Sequence, residues 1–470
     1  MKILLINPPA KNEIGSNTPP IVDEEQGVFP PLGIMYVAAH AEKHTNHQVE
    51  ILDTQVEQLS HLQIEQEISR RKPDIVGISV LTFGLIDSML TARSAKKAGR
   101  DIKVVMGGPH VSIYPEETIT FPEVDYIVRG EGEVTFTELL QNIDDKNRLR
   151  NISGLVFKDN GGIVNTGLRD FIKDLDALPY PARHLTPYQK YRSLLAKESY
   201  ITTMITSRGC PFQCTYCNRP YMGKSCRTRS ANNVLDEMEE CLKMGINEIA
   251  IYDDTFTVNR QRTLDICDGI LSRGLKIRWD MRTRVDVINK ELLTRLKEAG
   301  CERIHYGIEA GTPEILKALK KGTTLEQIRN AIRWSKEAGI STLAYFMLGS
   351  PGETREQIIE TIDFARSLEP DFAHFSITTP FPATELYQLG LEKGVIKEDY
   401  WREFARNPSP DFETPYWQEN LTREELIELI NLAYKKFYVR PKYILKSAMK
   451  VRSLEEFKRK AKAGLRVFRM

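Results

Sequence analysis

No cysteine precedes Cys210, and no apolar run approaches the roughly 18 residues that a membrane-spanning helix needs. The seven thiols are odd in number and clustered once, which argues against a disulfide framework and for a metal site in a reducing, cytoplasmic setting. Neither sign of charge prevails. The 65 Lys and Arg against 64 Asp and Glu leave a net +1, so no overall field draws the chain to nucleic acid or an anionic membrane. The apolar start through Ile6 runs into Asn7, Pro8 and Pro9 with no long hydrophobic stretch behind it, and reads as a buried strand rather than a signal peptide. What remains, 41% hydrophobic and 27% charged over 470 residues, is the composition of an ordinary soluble protein of two to four domains.

Residues 1–143 alternate short apolar runs with amphipathic stretches. Strands are predicted at 3–6, 49–52, 75–79, 103–106 and 126–128, with helices near 33–43, 59–71 and 87–98. Buried, β-branched strands in that rhythm predict a five-stranded, doubly wound parallel sheet of Rossmann-like type, with its ligand at the carboxyl ends of the strands. Residues 144–199 break the rhythm. Leu155, Val156 and Phe157, then Ile163 and Val164, flank the hairpin signal Asp159-Asn160-Gly161-Gly162, and three prolines between Asp174 and Pro187 read as a linker. Strand–helix alternation resumes, with strands at 202–206, 248–252, 276–280, 303–307, 342–347 and 374–378. This predicts a partial (β/α)6 barrel over 200–380, since a closed eightfold barrel needs about 250 residues. Residues 381–470 are helical by pattern. From Arg440 the last 31 hold eleven Lys or Arg against two Glu; a solvated helix packed on the barrel is the preferred reading, peripheral membrane contact the lesser one.

Cys210, Cys214 and Cys217 stand in CxxxCxxC spacing after a predicted strand and Ser207-Arg208-Gly209. A tight loop at a strand's end lets three thiolates converge on one iron–sulfur cubane. Three protein ligands for four irons leave one iron open to a small molecule bearing an amine and a carboxylate. The alternative is a zinc knuckle, but zinc sites take four ligands in paired spacings, and Cys226 is the one local candidate for a fourth.

With its aromatic Tyr216 before the last cysteine, the motif resembles the signature of the radical S-adenosylmethionine (SAM) superfamily, and the resemblance extends over 200–378. It implies a 4Fe–4S cluster on the three cysteines and S-adenosyl-L-methionine on the open iron. The end of the second barrel strand, where the family binds the SAM amino group, is here Tyr252-Asp253-Asp254-Thr255-Phe256 rather than Gly-Gly-Glu. That form resembles a subset of the family carrying an N-terminal cobalamin-binding domain. Gly307-Ile308-Glu309-Ala310-Gly311 resembles the fourth-strand motif, with Glu309 a candidate for a ribose hydroxyl or another polar group of SAM. The turn around Gly349, up to Glu353, resembles the glycine-rich turn near the adenine, and Arg282 and Arg284 are candidates for the SAM carboxylate.

In the first domain, Ser79-Val80-Leu81 and Gly107-Gly108 match the SxL…GG spacing of cobalamin-binding domains. The serine hydroxyl can reach the buried tail base, and the glycines let backbone approach a bulky nucleotide loop with no Cβ in the way. Gly130 and Glu131, in Arg129-Gly130-Glu131-Gly132-Glu133, resemble a further element of these domains. The DxHxxG that carries the cobalt-binding histidine occurs nowhere. The loop in its place holds Asn7 and Pro8, and His110 is the nearest nitrogen donor, read as a structural hydrogen-bonding group. Cobalamin is therefore expected base-off and histidine-off; the alternative is a vestigial scaffold without cobalamin.

Three functions are compatible with this pattern. The first is a cobalamin-dependent radical SAM methyltransferase acting on an unactivated carbon of a small-molecule or natural-product substrate, with an external electron donor such as flavodoxin or ferredoxin. The second is a non-methylating member such as an oxidative ring cyclase. The third is an iron–sulfur redox protein without SAM chemistry. A tRNA methylthiotransferase would need a second set of cysteines before Cys210, and none exists.

Overall fold

A computed structural model describes residues 1–15, 27–193, 196–197, 200–218 and 221–449. In the first sheet β1 (Lys2–Asn7), β2 (Gln48–Asp53), β3 (Ile75–Ser79), β4 (Lys103–Gly107) and β5 (Tyr126–Val128) run parallel in the order 2-1-3-4-5. Both faces are buried because the central strands β1, β3 and β4 are apolar on both pleats, while edge strand β2 carries Gln48 and Glu50. Leu4, Ile6, Val76 and Ile78 pack with helices His61–Arg71 and Leu85–Ala98, while Ile3, Leu5 and Ile75 pack with helices Leu32–His44 and Gly132–Asn142. The doubly wound sheet is as expected, but it does not end at five strands. The segment expected as a linker hairpin adds β6 (Leu155–Asp159) and β7 (Gly162–Asn165) antiparallel beyond β5. Leu155, Val156 and Phe157 are buried there, and an apolar strand beside an open edge lowers its free energy by pairing with it. Residues 166–177 are mostly exposed, whereas Ala182 and Arg183 are buried, Arg183 at 1% exposure.

The second sheet holds β8 (Thr202–Met204), β11 (Glu248–Ile251), β12 (Arg278–Thr283), β13 (Cys301–Glu309), β14 (Ser341–Leu348) and β15 (Phe372–Ile377), all parallel in that order. Between β8 and β11, a small antiparallel pair is formed by β9 (Ser207–Arg208) and β10 (Arg227–Thr228). β8 and β15 are the two edges, so the six strands form the expected partial barrel. The return helices begin at side-chain caps, Ser230, Asn259, Asn289, Thr324 and Thr354, each accepting a backbone N–H three residues on.

The helical C-terminal region divides its packing between the two sheets. Tyr387, Ile396, Trp401 and Phe404 join the core of the first sheet, whereas helix Arg423–Tyr438 puts Leu426, Leu429, Ala433 and Phe437 into the barrel core. Most of the basic tail lies outside the described residues. No helix among the described residues is long and apolar enough to cross a membrane.

Candidate active site

β9 delivers the chain to Gly209, whose φ of +86° and lack of Cβ are both required. A Cβ there would stand 2.4 Å from the carbonyl oxygen of Ser225 and 2.7 Å from that of Met222. The loop beyond is tied down on three sides. Cys210 N donates to the Gly223 carbonyl at 3.3 Å, Thr215 N to Leu319 at 3.1 Å, and Leu386 N to the Thr215 carbonyl at 2.8 Å. Arg284 stacks 3.8 Å over the Phe212 ring, donates to Lys321 O at 2.6 Å and to both oxygens of Asp286, and brings Nη1 within 3.6 Å of Cys214 Sγ.

Cys214 is buried, Cys210 half-buried and Cys217 open to solvent. Desolvation first, then Asp254 and the neighbouring thiols, push the Cys217 thiol up to about 12, and Cys210 is raised by desolvation too. Among the described residues no three His, Cys, Asp or Glu side chains stand close enough to share one metal ion. A cubane asks something different, one thiolate on each of three irons, and three mutually opposed thiols suit a cationic multi-iron partner that removes their protons. The donor set fits a 4Fe–4S cluster.

Around the thiols the two aspartates part company. Asp253 is fully buried and braces the turn, accepting from Thr206 N, Thr206 Oγ1 and Ser207 Oγ at 2.6 Å each. Asp254 is exposed beside the thiols, its carboxyl raised by desolvation and by Asp253. Thr255 Oγ1 lies 3.9 Å from Cys210 Sγ. Glu309, at a register shift in β13 with φ +73°, accepts from Lys321 Nζ at 2.8 Å and from the Tyr216 hydroxyl at 3.0 Å. Gly349 opens a turn whose N–H groups at 349 and 350 are held by Glu353. Arg282 lies deeper on β12, over the Tyr252 ring.

In the first domain Gly108, at φ +109°, is pressed against β3: a Cβ would meet the Val80 carbonyl oxygen at 2.9 Å and the Ser79 hydroxyl at 3.5 Å. Beside it the strand ends are open. Leu81 is 55% exposed, and a Cβ on Gly130 would meet nothing within 4 Å. Open glycine backbone and an exposed leucine at the carboxyl edge fit a large flat cofactor. Asn7 is bonded to Asp53 at 2.8 Å, and the Pro8 carbonyl accepts from Gln55. His110 is fully buried, 3.3 Å from the Thr82 hydroxyl, and burial drops its ring to about 3. Its Nε2 is buried with no hydrogen-bond partner among the described residues.

Glu131, a cobalamin-side candidate from sequence, is engaged by three donors in this structure. It receives Arg208 and Arg227 from the cysteine-loop side at 2.9–3.0 Å and Ile172 N at 2.7 Å. Glu133 takes the other arm of Arg208 at 2.5 Å. Arg208, Arg227, Glu133, Lys321 and Phe212 were not singled out from sequence; the position of Arg208 directly before Gly209-Cys210 was the available signal.

Ion pairs of Arg208 and Arg227 with Glu131 and Glu133 thus join the carboxyl edge of the first sheet to the strands flanking the three cysteines. Residues 204–365 match the family model of the radical SAM superfamily, and residues 19–140 that of the B12 binding domain. An uncharacterized methyltransferase of Pyrococcus horikoshii is 36% identical over 95% of this chain and 94% of its own. The anaerobic magnesium-protoporphyrin IX monomethyl ester cyclase of Rubrivivax gelatinosus is 30% identical over 90% of this chain and 76% of its own. Among solved structures, the cobalamin-dependent SAM radical enzyme OxsB with aqua-cobalamin and SAM bound shares the fold, with a TM-score of 0.74 at 20% identity over 99% of this chain and 72% of that one. The chain belongs to the cobalamin-binding branch of the radical SAM superfamily. It is an enzyme, and its cofactors are a 4Fe–4S cluster, SAM and cobalamin.

Proposed function

We propose that this enzyme is a methyltransferase that places a methyl group on an unactivated carbon of a small molecule. The observation that carries the reading is the ionic joint of Arg208 and Arg227 with Glu131 and Glu133, which holds the open edge of the first sheet against the cysteine loop. When bound, the cluster with SAM supplies a 5′-deoxyadenosyl radical and cobalamin a methyl group; the protein supplies position and keeps water out.

Cys210, Cys214 and Cys217 hold the cluster in this reading, with Arg284 steadying their loop. Asp254 accepts from the SAM ammonium, Glu309 fixed by Lys321 and Tyr216 takes a ribose hydroxyl, and the Gly349 turn backs the adenine. Asp253 shapes the turn rather than touching SAM. Ser79 would reach the cobalamin tail base and Gly107 and Gly108 its nucleotide loop, Leu81, Gly130, Asn7 and Pro8 would line the remainder of the site, and the cobalamin would supply the methyl group. An external flavodoxin or ferredoxin supplies the electron, in the cytoplasm. The Pyrococcus relative supports methylation; the Rubrivivax relative supports the second reading, oxidative ring closure.

The test is anaerobic turnover of the reconstituted enzyme with mass analysis of products. A gain of one methyl group supports the proposal, and loss of hydrogen or ring closure selects the second reading. Ala at Cys210, Cys214 or Cys217 abolishes cluster and SAM cleavage, whereas Ala at Cys226 leaves both. Bound cob(II)alamin shows no nitrogen splitting of its cobalt EPR lines; splitting that disappears in His110→Ala overturns the histidine-off assignment.

A further inference from the structure

On the six-stranded sheet, the pleat that turns toward the helices is apolar: Ile251, Met281, Ile304, Tyr306, Ala344 and Phe375 share one core. The opposite, inner pleat mixes polar residues with Leu343, Met347 and Phe372. Asp280 is in register with Arg303, Arg282 with His305, and Tyr345 with His374. The lower layer of this wall is balanced. Arg303 Nη1 lies 3.5 Å from Asp280, Glu248 accepts from Lys197 N, and Arg278 pairs with Glu302.

The layer above is not balanced. Arg282 forms no ion pair among the described residues. Its guanidinium lies 3.7 Å over the Tyr252 ring, and one N–H goes to the Ile251 carbonyl at 3.2 Å. A guanidinium carries five donors in one plane; the Tyr252 side chain and the Ile251 carbonyl engage part of it, and no carboxylate among the described residues pairs with it within ion-pair distance. On the next strand, His305 is 8% exposed with Nδ1 2.9 Å from the Tyr345 hydroxyl. Its Nε2 is buried with no hydrogen-bond partner among the described residues, 3.9 Å from Asp280. Burial first, then Arg282 and Arg303, hold the ring neutral. If the Tyr345 hydroxyl donates to Nδ1, the idle Nε2 carries a hydrogen and is itself a donor. A cation with no ion pair and a buried donor with no hydrogen-bond partner among the described residues therefore stand in register on adjacent strands, about 4.8 Å apart.

We propose that Arg282 and His305, the histidine oriented by Tyr345, form a subsite that grips an anionic group of the substrate, a carboxylate or a phosphate, and so select a small anionic molecule over a neutral lipid. This rests on the radical SAM methyltransferase reading above. The same chemistry is offered by the carboxylate of SAM, but depth argues against that source. Arg284 is the residue that reaches Cys214 Sγ. Arg282 stands two residues earlier on β12, about 6–7 Å farther from the cysteine loop along the strand, while a carboxylate chelating the open iron stays at the loop.

The probe is inorganic phosphate, followed by 31P NMR line broadening on the anaerobic, cluster-reconstituted full chain saturated with S-adenosylhomocysteine. Phosphate binds the native protein, and Arg282→Gln weakens it about tenfold, as expected for loss of a charge-assisted bond. Arg282→Lys, keeping charge without the fork, falls between, and Tyr345→Phe weakens it less; iron content and melting midpoint show which variants are folded. In parallel, the SAM-induced change in the EPR spectrum of the reduced cluster is recorded. Its persistence in Arg282→Gln assigns the anion to substrate; its loss there assigns Arg282 to the SAM carboxylate and overturns the proposal. Absence of phosphate binding, or equal binding in native and Arg282→Gln, overturns it as well. Absence of the SAM-induced change in the native protein is a separate failure, that of the underlying functional reading.

Discussion

Glu353 is 2% exposed and accepts from the backbone N–H groups of Gly349 and Ser350 on Oε2, at 2.7 and 2.9 Å, while Oε1 meets no partner. Burial outweighs those two bonds and raises the carboxyl to about 7 from an ordinary 4.5. Between those values the folded chain holds a proton that the unfolded chain has released. The contribution to stability is thus fully present below about 4.5 and is lost as pH rises through about 7, on the order of 3 kcal/mol in all. Gln keeps an acceptor for both N–H groups and has no proton to lose. Glu353→Gln should therefore match the native protein at pH 4.5 and exceed it at pH 8 in denaturant midpoint; parallel pH profiles for the two would refute the account. This residue was legible only as part of a glycine-rich turn, because nothing in sequence says that one carboxylate oxygen is sealed away from water. The same limit applies to Asp253 and Asp254. Sequence placed both at the end of β11, but the buried bonds to Thr206 and Ser207 that turn Asp253 inward come from a strand more than forty residues earlier.

Elements were more legible than side chains, since their signals are local. All eleven strands predicted for the two parallel sheets are present within a few residues of their expected ends, because apolar β-branched runs between Gly and capping residues leave little choice. The turn at Asn160 and Gly161, at φ +48° and +80°, is the tight hairpin its sequence announces. Where the hairpin docks was not legible, because an open edge on β5 is a property of the assembled sheet. The destination of the Trp401 helix was equally hidden, since an aromatic segment does not name the core it enters. Gly209 joins element to site. Its φ and the three carbonyl oxygens within 3 Å of a built Cβ leave no room for a side chain, and the crowding is backbone, which cannot swing aside. Gly209→Ala should leave far-ultraviolet circular dichroism near native while iron bound after reconstitution falls below half. Full iron loading in that variant would mean the loop tolerates a shift and is not set by this residue.

At the scale of the whole molecule, the two sheets are joined by charge as well as by apolar contact. Arg208 is 6% exposed and lies between Glu131 and Glu133, with Tyr36 of the first domain under its guanidinium at 5.2 Å. A second buried group follows, in which Glu237 is held between Arg183 and Arg229, and Arg229 also reaches the Tyr36 hydroxyl. Removing one partner from such a set leaves a guanidinium without its counter-charge in a dry joint, which costs about 3–5 kcal/mol. A more exposed pair away from this joint, Lys190 with Glu57, offers a control, because solvent and salt reduce such a pair to about 0–1 kcal/mol. Calorimetry of the anaerobic protein should show Glu131→Gln with Glu133→Gln splitting a single transition into two, one for each sheet, while Glu57→Gln leaves the trace near native. The magnetic broadening of cob(II)alamin by the reduced cluster, which depends on their separation, should weaken in the double variant and persist in the control. Both effects follow if the ionic joint fixes the distance between the two cofactor sites. A double variant that melts as the native protein does, with the broadening intact, would show that the apolar contacts alone set that distance and that the arginine before the cysteine loop has only a local role.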